Sequence, residues 1–149
     1  MCVEDLLKKK GREIVSIHAG ATVEDAISDM AQKKVSALIV MEGDNPVGIF
    51  AERDVLRCHL RDRDKPFTNI SVREAMSGKL IVSESEDEIS AAMAMMIKAD
   101  IRHLPVIKNK ELIGMLTISD LVEHQIGTLT AELHYLQEYI TDLHDAELD

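Results

Sequence analysis

The sequence predicts an α/β (α+β) protein in which two βαββα repeats pack with pseudo-two-fold symmetry and a C-terminal helix follows. Three observations support this prediction: a duplicated pattern of short apolar segments, an apolar helical stripe in each copy, and an apolar heptad near the end of the chain. The 149 residues are enough for one compact domain or for two small units that share apolar surface.

The first copy is predicted as strand, helix, strand, strand and helix, after a short helical prefix at residues 3–7. Residues 14–17 and the apolar run 35–41 have the composition of strands, and Thr22 is placed to cap a helix with apolar residues at helical spacing. Turn-forming residues at 42–46 lead into a strand over 47–51 and a helix over 52–60.

A shift of 66 residues superimposes the second copy on the first without a gap, and the prefix recurs at 72–76 at a slightly larger offset. The identical pairs are Ala26/Ala92, Met30/Met96, Leu38/Leu104, Val40/Val106, Gly48/Gly114 and Asp54/Asp120. We therefore divide the chain into repeat 1 (1–60), a linker (61–70), repeat 2 (71–126) and a C-terminal helix (127–149). Because each unit alone buries little apolar surface, we expect the apolar sheet faces to meet in one shared core.

Composition narrows the class of protein. The net charge is −10, and no Lys or Arg follows Lys110, which argues against nucleic acid as a partner. No apolar run approaches the roughly 20 residues of a membrane span, and the N-terminus lacks a signal-peptide core. Cys2 and Cys58 suit a reducing compartment, so we expect a cytoplasmic protein with no membrane association, in which Cys58 is a buried structural thiol.

The stretch from Gly114 to Asp120 is the best candidate for chemistry, because an apolar strand turns at Thr117 into a helix. Thr117 and Asp120 have the spacing of a capping box. The same turn can bind a ligand, since free N–H groups at a helix start suit a phosphate and a carboxylate accepts hydrogen bonds from a ribose diol. Recurrence of the turn in both copies favours ligand binding over capping alone.

Residues 101–106 (Ile-Arg-His-Leu-Pro-Val), a hairpin, and then Gly-apolar-apolar-Thr-x-x-Asp resemble a CBS domain, the module first described in cystathionine beta-synthase. Two in tandem resemble a CBS pair, or Bateman module, and residues 51–57 are close to a form common in small stand-alone members. The resemblance covers roughly residues 1–126. It implies regulation by adenosyl ligands, commonly AMP, ADP or ATP, and in some members S-adenosylmethionine or NAD(H).

The resemblance also implies two clefts between the repeats, each with residues from both. One cleft, the Thr117 cleft, would use Thr117, Ser119 and Asp120 with Val15, Val35, Ser36 and Ala37. Its twin, the Asp54 cleft, would use Arg53 and Asp54 with Ile81, Ile101, Arg102 and His103. Arg102 and His103 are interpreted as phosphate donors rather than solvated strand-end residues, and His103 is expected to titrate near pH 6.5, with weaker ligand affinity above it.

The first copy departs from the family pattern at Ala51, where a Ser or Thr hydroxyl is usual. This departure makes the Thr117 cleft the stronger candidate. Asp54 nevertheless persists without a cap oxygen at position 51, which we interpret as a sign of ligand binding, and Arg53 beside it suits a phosphate.

The residues after Gly127 carry an apolar heptad, Leu129, Leu133, Leu136, Ile140 and Leu143. It predicts either a dimer seam or a helix packed on its own core.

His134, Glu138 and Asp142 share a helical face, but a solvated face explains them better than a metal site. The sequence contains no pattern typical of a catalytic triad, a paired-carboxylate site or a glycine-rich loop that binds a nucleoside triphosphate, so we expect no enzyme activity.

The sequence thus predicts a stand-alone energy-sensing regulator, a homodimer as the resemblance implies, that binds an adenine nucleotide, needs no cofactor, and has a possible protein partner. A ligand-free adaptor module and an S-adenosylmethionine or NAD(H) sensor are the alternatives.

Overall fold

A computed structural model describes residues 1–11, 14–77 and 80–148, with side chains up to Leu143. Repeat 1 contains α1 (Val3–Lys10), β1 (Ser16–His18), α2 (Val23–Lys33), β2 (Ala37–Glu42), β3 (Asn45–Ala51) and α3 (Glu52–Arg61). A 3-10 turn at Phe67–Asn69 leads to α4 (Val72–Ala75), β4 (Ser83–Glu84), α5 (Ile89–Ala99), β5 (His103–Lys108), β6 (Glu111–Thr117) and α6 (Ile118–Leu148). The predicted fold class, two βαββα repeats with a C-terminal helix, is confirmed.

Each repeat has a three-stranded sheet in which the middle strand pairs parallel with the first and antiparallel with the third. The cap predicted at Thr22 is present, since its Oγ1 accepts the Asp25 N–H at 3.1 Å. The first hairpin turn is shorter than predicted, because β3 begins at Asn45 and includes Pro46. A proline is tolerated there because β3 is an edge strand and the register shifts beside it, between Val40 and Met41.

The two sheets differ at one position that bears on the site. In repeat 1 the Ile39 N–H donates to the Val15 carbonyl at 3.0 Å. In repeat 2 the equivalent residue is Pro105, which has no N–H, and β4 shortens to two residues. Ile81, the counterpart of Val15, therefore lies outside the sheet ladder.

The short helices α1 and α4 are exchanged between the repeats. Val3, Leu6 and Leu7 of α1 pack in the core of repeat 2, whereas Val72 and Ala75 of α4 pack in the core of repeat 1. The exchange is symmetrical, because the Val3 N–H donates to the Asp87 carbonyl and the Val72 N–H donates to the Ala21 carbonyl, both at 2.8 Å.

The expectation of one shared core is wrong, because the buried apolar residues, apart from Ala37 and Ile39, form two clusters. Each cluster is completed by the prefix helix of the other repeat. Gly114 lies so close to α1 that a Cβ would be 2.6 Å from Leu7 Cδ1, and Gly48 lies equally close to Met76 beside α4. The repeated glycine therefore makes room for the exchanged helix.

The C-terminal helix is continuous with the last helix of repeat 2, since α6 runs through Gly127 without a break. Its first turns are anchored by Leu121, which is fully buried. The apolar residues of the predicted heptad are all exposed, so the alternative in which this segment packs on its own core is wrong for the described side chains. Within the described part of the chain, no helix is both long enough and apolar enough to span a bilayer.

Candidate functional site

A cavity of about 420 Å³ lies at the Asp54 cleft, between the start of α3 and the segment that leads into β5. It is lined by residues of both repeats: Ser36, Ile49, Ala51, Glu52, Arg53, Asp54, Leu56, Arg57, Ser77, Ile81, Asp100, Ile101, Arg102 and His103. This volume is within the range of small-molecule sites. All six residues assigned from the sequence to this cleft line the same cavity.

Asp54 is the most buried charged group of the cavity, with 3 % of its surface exposed. Its Oδ2 accepts the Ala51 N–H at 2.8 Å, and its Oδ1 lies 3.3 Å from Arg57 Nη2. Burial raises the pKa of Asp54, although the Ala51 N–H and the nearby guanidinium of Arg57 oppose the rise. This bond also corrects the interpretation that Asp54 has no capping role because Ala51 lacks a hydroxyl. Asp54 still caps the helix by accepting the Ala51 N–H.

Three arginines line the cavity together with Asp54: Arg53 and Arg57 from α3 and Arg102 from the other repeat. The Arg53 side chain is half exposed and lies 3.8 Å from the carboxylate of Asp100, which is itself 92 % exposed. A pair this open contributes little energy, so Arg53 is available to an anion. Arg102 is exposed at the cavity and is available as well. Guanidinium groups suit phosphate because their planar fork donates two parallel hydrogen bonds.

His103 connects the two repeats, because its Nε2 lies 2.9 Å from Ser36 Oγ. Burial lowers the pKa of His103, and the cation of Lys10 lowers it further. The expectation that His103 titrates near pH 6.5 is therefore wrong, and the imidazole is neutral at pH 7. Ser36, which was assigned to the Thr117 cleft, lines the Asp54 cavity.

The Thr117 cleft has the same turn but a different occupant. Asp120 Oδ2 accepts the Thr117 N–H at 2.8 Å, and the Asp120 N–H donates to Thr117 Oγ1 at 3.2 Å, which completes the capping box. Lys10, at the end of α1, forms an ion pair with Asp120 Oδ2 and donates to the Met115 carbonyl at 3.3 Å. Burial acts to raise the pKa of Asp120, but the hydrogen bonds from Lys10 and Thr117 outweigh it and the pKa is lowered.

The remaining residues assigned to the Thr117 cleft differ in burial and do not share one environment. Ser119 is exposed, Val15 and Ala37 are buried, and Val35 packs against the core of repeat 1. Among the described residues, Ser36 is the one member of this group that lines the cavity. The structure thus shifts the preference from the Thr117 cleft to the Asp54 cleft, because Lys10 already satisfies Asp120.

Sequence reasoning missed Arg57 and Lys10. Arg57 follows Asp54 by three residues on a helix, a spacing at which side chains meet, so its proximity was predictable. The sequence evidence for Lys10 was weaker. Only the recurrence of the prefix indicates that α1 has a counterpart in the other repeat. His134 Nε2 lies 3.1 Å from Glu138 Oε1, an exposed side-chain contact on α6.

The fold and the cleft between two βαββα repeats define a class of two-repeat modules, and comparison with known proteins identifies the family. The CBS domain model matches residues 3–61 and 72–127, and the chain belongs to the CBS domain family. A curated relative, the mitochondrial CBS domain-containing protein CBSX3 of Arabidopsis thaliana, is 34 % identical over 93 % of this chain and 71 % of its own length.

Solved structures agree with this assignment. The CBS domain structure of NE2398 has a TM-score of 0.80 and 34 % identity, and the match covers 84 % of this chain and 98 % of that one. The CBS domain pair of MJ0100, in complex with 5′-methylthioadenosine and S-adenosyl-L-methionine, has a TM-score of 0.74 over 86 % of this chain and 98 % of its own. At 18 % identity, the latter shows similarity of fold alone.

Proposed function

We propose that this chain is a regulatory module that binds AMP, ADP or ATP in the Asp54 cavity. One observation carries the proposal: a buried carboxylate, three arginines and several aliphatic side chains, among them Ile81 and Ile101, line a single cavity between the repeats. These groups match the three parts of a nucleotide, namely the ribose diol, the phosphates and the base. The MJ0100 complex supports an adenosyl ligand for this fold.

Each part of the nucleotide has a candidate partner. The ribose hydroxyls donate to Asp54, whose ionised form gains hydrogen bonds that burial otherwise denies it. Arg53, Arg57 and Arg102 take the phosphates. The base lies against Ile81 and Ile101, which are partly buried against the core of repeat 2.

The arginines favour a phosphate-bearing ligand over S-adenosylmethionine. S-adenosylmethionine carries a cationic sulfonium, which gains nothing from three guanidinium groups, whereas a phosphate gains charge-assisted hydrogen bonds. The protein as a whole is acidic, with a net charge of −10, so this cluster also offsets repulsion of an anionic ligand. Retention of the Thr117, Ser119 and Asp120 turn supports a second, weaker site.

Binding is transmitted by linkage. The cavity is built from α3 of repeat 1 and the segment before β5 of repeat 2, so a bound ligand contacts both repeats. A ligand shifts the equilibrium between two arrangements only by its differential affinity for them. We propose a non-catalytic, energy-sensing role in a cytoplasmic homodimer, with the bound state communicated to a protein partner.

A thermal-shift panel with AMP, ADP, ATP, NADH and S-adenosylmethionine tests this proposal. A ligand at about 100 times its dissociation constant stabilises the protein by about 2.7 kcal/mol, which raises the melting temperature by roughly 5–10 °C for a chain of this size. We expect this rise with at least one of the three adenine nucleotides. A rise with S-adenosylmethionine alone contradicts the assignment to nucleotides, and no rise with any ligand favours the ligand-free adaptor.

A matched pair of variants locates the phosphate contacts. Arg57→Gln removes a cation that lines the cavity, whereas Arg61→Gln removes a cation on the same helix that pairs with Asp62. Loss of a charge-assisted hydrogen bond of about 1.5–3 kcal/mol weakens binding roughly 10- to 150-fold in the first variant. Equal affinities of the two variants would count against the phosphate assignment.

A further inference from the structure

The exposed side of α6 carries a longer apolar seam than the heptad visible after Gly127. Two more exposed residues extend it toward the body of the protein with the same alternating spacing of four and three. The seam consists of Val122, Ile126, Leu129, Leu133, Leu136, Ile140 and Leu143, which are between 39 % and 64 % exposed. These residues span about 32 Å of helix at 1.5 Å per residue. The CBS match ends at Gly127, so most of the seam lies beyond the family module.

We infer that this seam binds the seam of a second copy of the chain, as a parallel two-stranded coiled coil. The residue types select this arrangement. Position a is occupied by Ile126, Leu133 and Ile140, and position d by Leu at three of four turns. Isoleucine at a with leucine at d favours two parallel strands. This inference assigns a surface and an orientation to the proposed homodimer. It rests on the homodimer part of the proposed function and not on nucleotide binding.

The residues that flank the seam at positions e and g are compatible with a second copy in parallel register. In a parallel pair, each g residue faces the e residue five positions further along the other helix. Glu132 at g then faces Gln137 of the second copy, and Gln125 faces Thr130, so these pairs contain no like charges. An antiparallel pair centred on Leu133 would instead bring Glu132 against its own copy. The acids Glu138 and Asp142 occupy outer positions, away from the seam.

The area also suits a dimer. Burial of half an aliphatic side chain removes about 50 Å² from water, so the seam residues of two copies bury roughly 700 Å². Flanking side chains such as Gln125, Gln137 and Tyr139 bring the total to the order of 1,000 Å² expected of a specific interface. Leu121, next to Val122, is buried in the core of repeat 2. The coil therefore brings the second repeats of the two copies side by side.

Sedimentation equilibrium or light scattering of the full chain tests the surface. The double variant Leu133→Asp/Ile140→Asp adds two charges to the seam, and His134→Asp/Thr141→Asp adds the same charges one position away, on the outer side. We expect the first to raise the dimer dissociation constant at least about 100-fold and the second to change it less than about threefold. Because the seam is exposed in the single chain, melting of the separated chains is unaffected. Dimers of equal stability in both variants would overturn the inference.

Disulfide trapping tests the orientation. In a Cys2→Ser background, Leu143→Cys places thiols opposite each other in a parallel coil, but about 30 Å apart in an antiparallel one. Asp142→Cys is the control on the outer side, and Cys58 is retained because it is 2 % exposed. We expect a covalent dimer from Leu143→Cys alone after mild oxidation. A stable dimer that neither variant traps would rule out the parallel coil. The nucleotide-induced rise in melting temperature is measured on the same variants, so loss of the coil and loss of nucleotide binding are separate results.

Discussion

Asp54 and Asp120 occupy the same position in the two repeats, yet the pKa values of their carboxyl groups are shifted in opposite directions. Burial raises the pKa of Asp54, which faces an open cavity, whereas hydrogen bonds from Lys10 and Thr117 lower the pKa of Asp120. Each aspartate accepts the N–H of the residue three positions before it, but only Thr117 has a hydroxyl that accepts the aspartate N–H in return. The other difference comes from Lys10 on α1, the helix that repeat 1 lends to repeat 2. Availability of a cleft is therefore decided by the exchanged helix as well as by the repeated motif.

The largest effect on this comparison is expected from Lys10→Ala, which frees Asp120. An ion pair in which one partner is about one-third exposed contributes roughly 1 kcal/mol, so nucleotide affinity at the Thr117 cleft should rise about fivefold. The measurement is calorimetric titration in an Asp54→Ala background, where the first cleft is disabled. Weaker binding in Lys10→Ala would instead make Lys10 a phosphate ligand.

The caps of the two helices provide a second contrast, of similar size. Thr117 completes a capping box with Asp120, whereas Ala51 leaves the equivalent box half formed. Ala51→Thr should stabilise the fold by about 1 kcal/mol, and Thr117→Ala should destabilise it by a similar amount. Urea unfolding at constant pH measures both changes. A destabilising Ala51→Thr would show that the site cannot accept a hydroxyl and methyl at this turn.

The pH dependence of stability is expected to show the smallest effect. Because the pKa of His103 is lowered in the fold, the unfolded chain gains its proton first as the pH falls through about 6.5. The contribution of His103 to the free energy of unfolding is thus fully present above that pH. Below it, this contribution decreases by less than about 1.4 kcal/mol per pH unit. Asp120 acts in the same direction at lower pH, and Asp54 acts in the opposite direction.

Melting curves between pH 7.5 and 5.5 isolate the contribution of His103. His103→Gln should flatten the decrease in stability relative to the wild-type protein. The same slope in both proteins would mean that His103 titrates alike in the folded and unfolded chains.

Most of the fold was predictable because the repeat and its apolar periodicity are local properties of the sequence. The helix capped by Thr22, both hairpins and the order of elements follow from them. The exchange of α1 and α4 was not predictable, because it depends on which core each short helix packs against. That exchange places Lys10 beside Asp120, and so it reversed the expected preference between the clefts. The contact of Ser36 with His103 was not predictable for a related reason, since it crosses between the repeats.

The most direct test of the account compares Asp54→Ala with Asp120→Ala in calorimetric titrations with the nucleotide that gives the largest thermal shift. Both variants remove one carboxylate from the same position of a repeat. The account predicts one tight site per chain, weakened about 10- to 150-fold by Asp54→Ala and less than about threefold by Asp120→Ala. Loss of tight binding in Asp120→Ala, with Asp54→Ala unchanged, would contradict it.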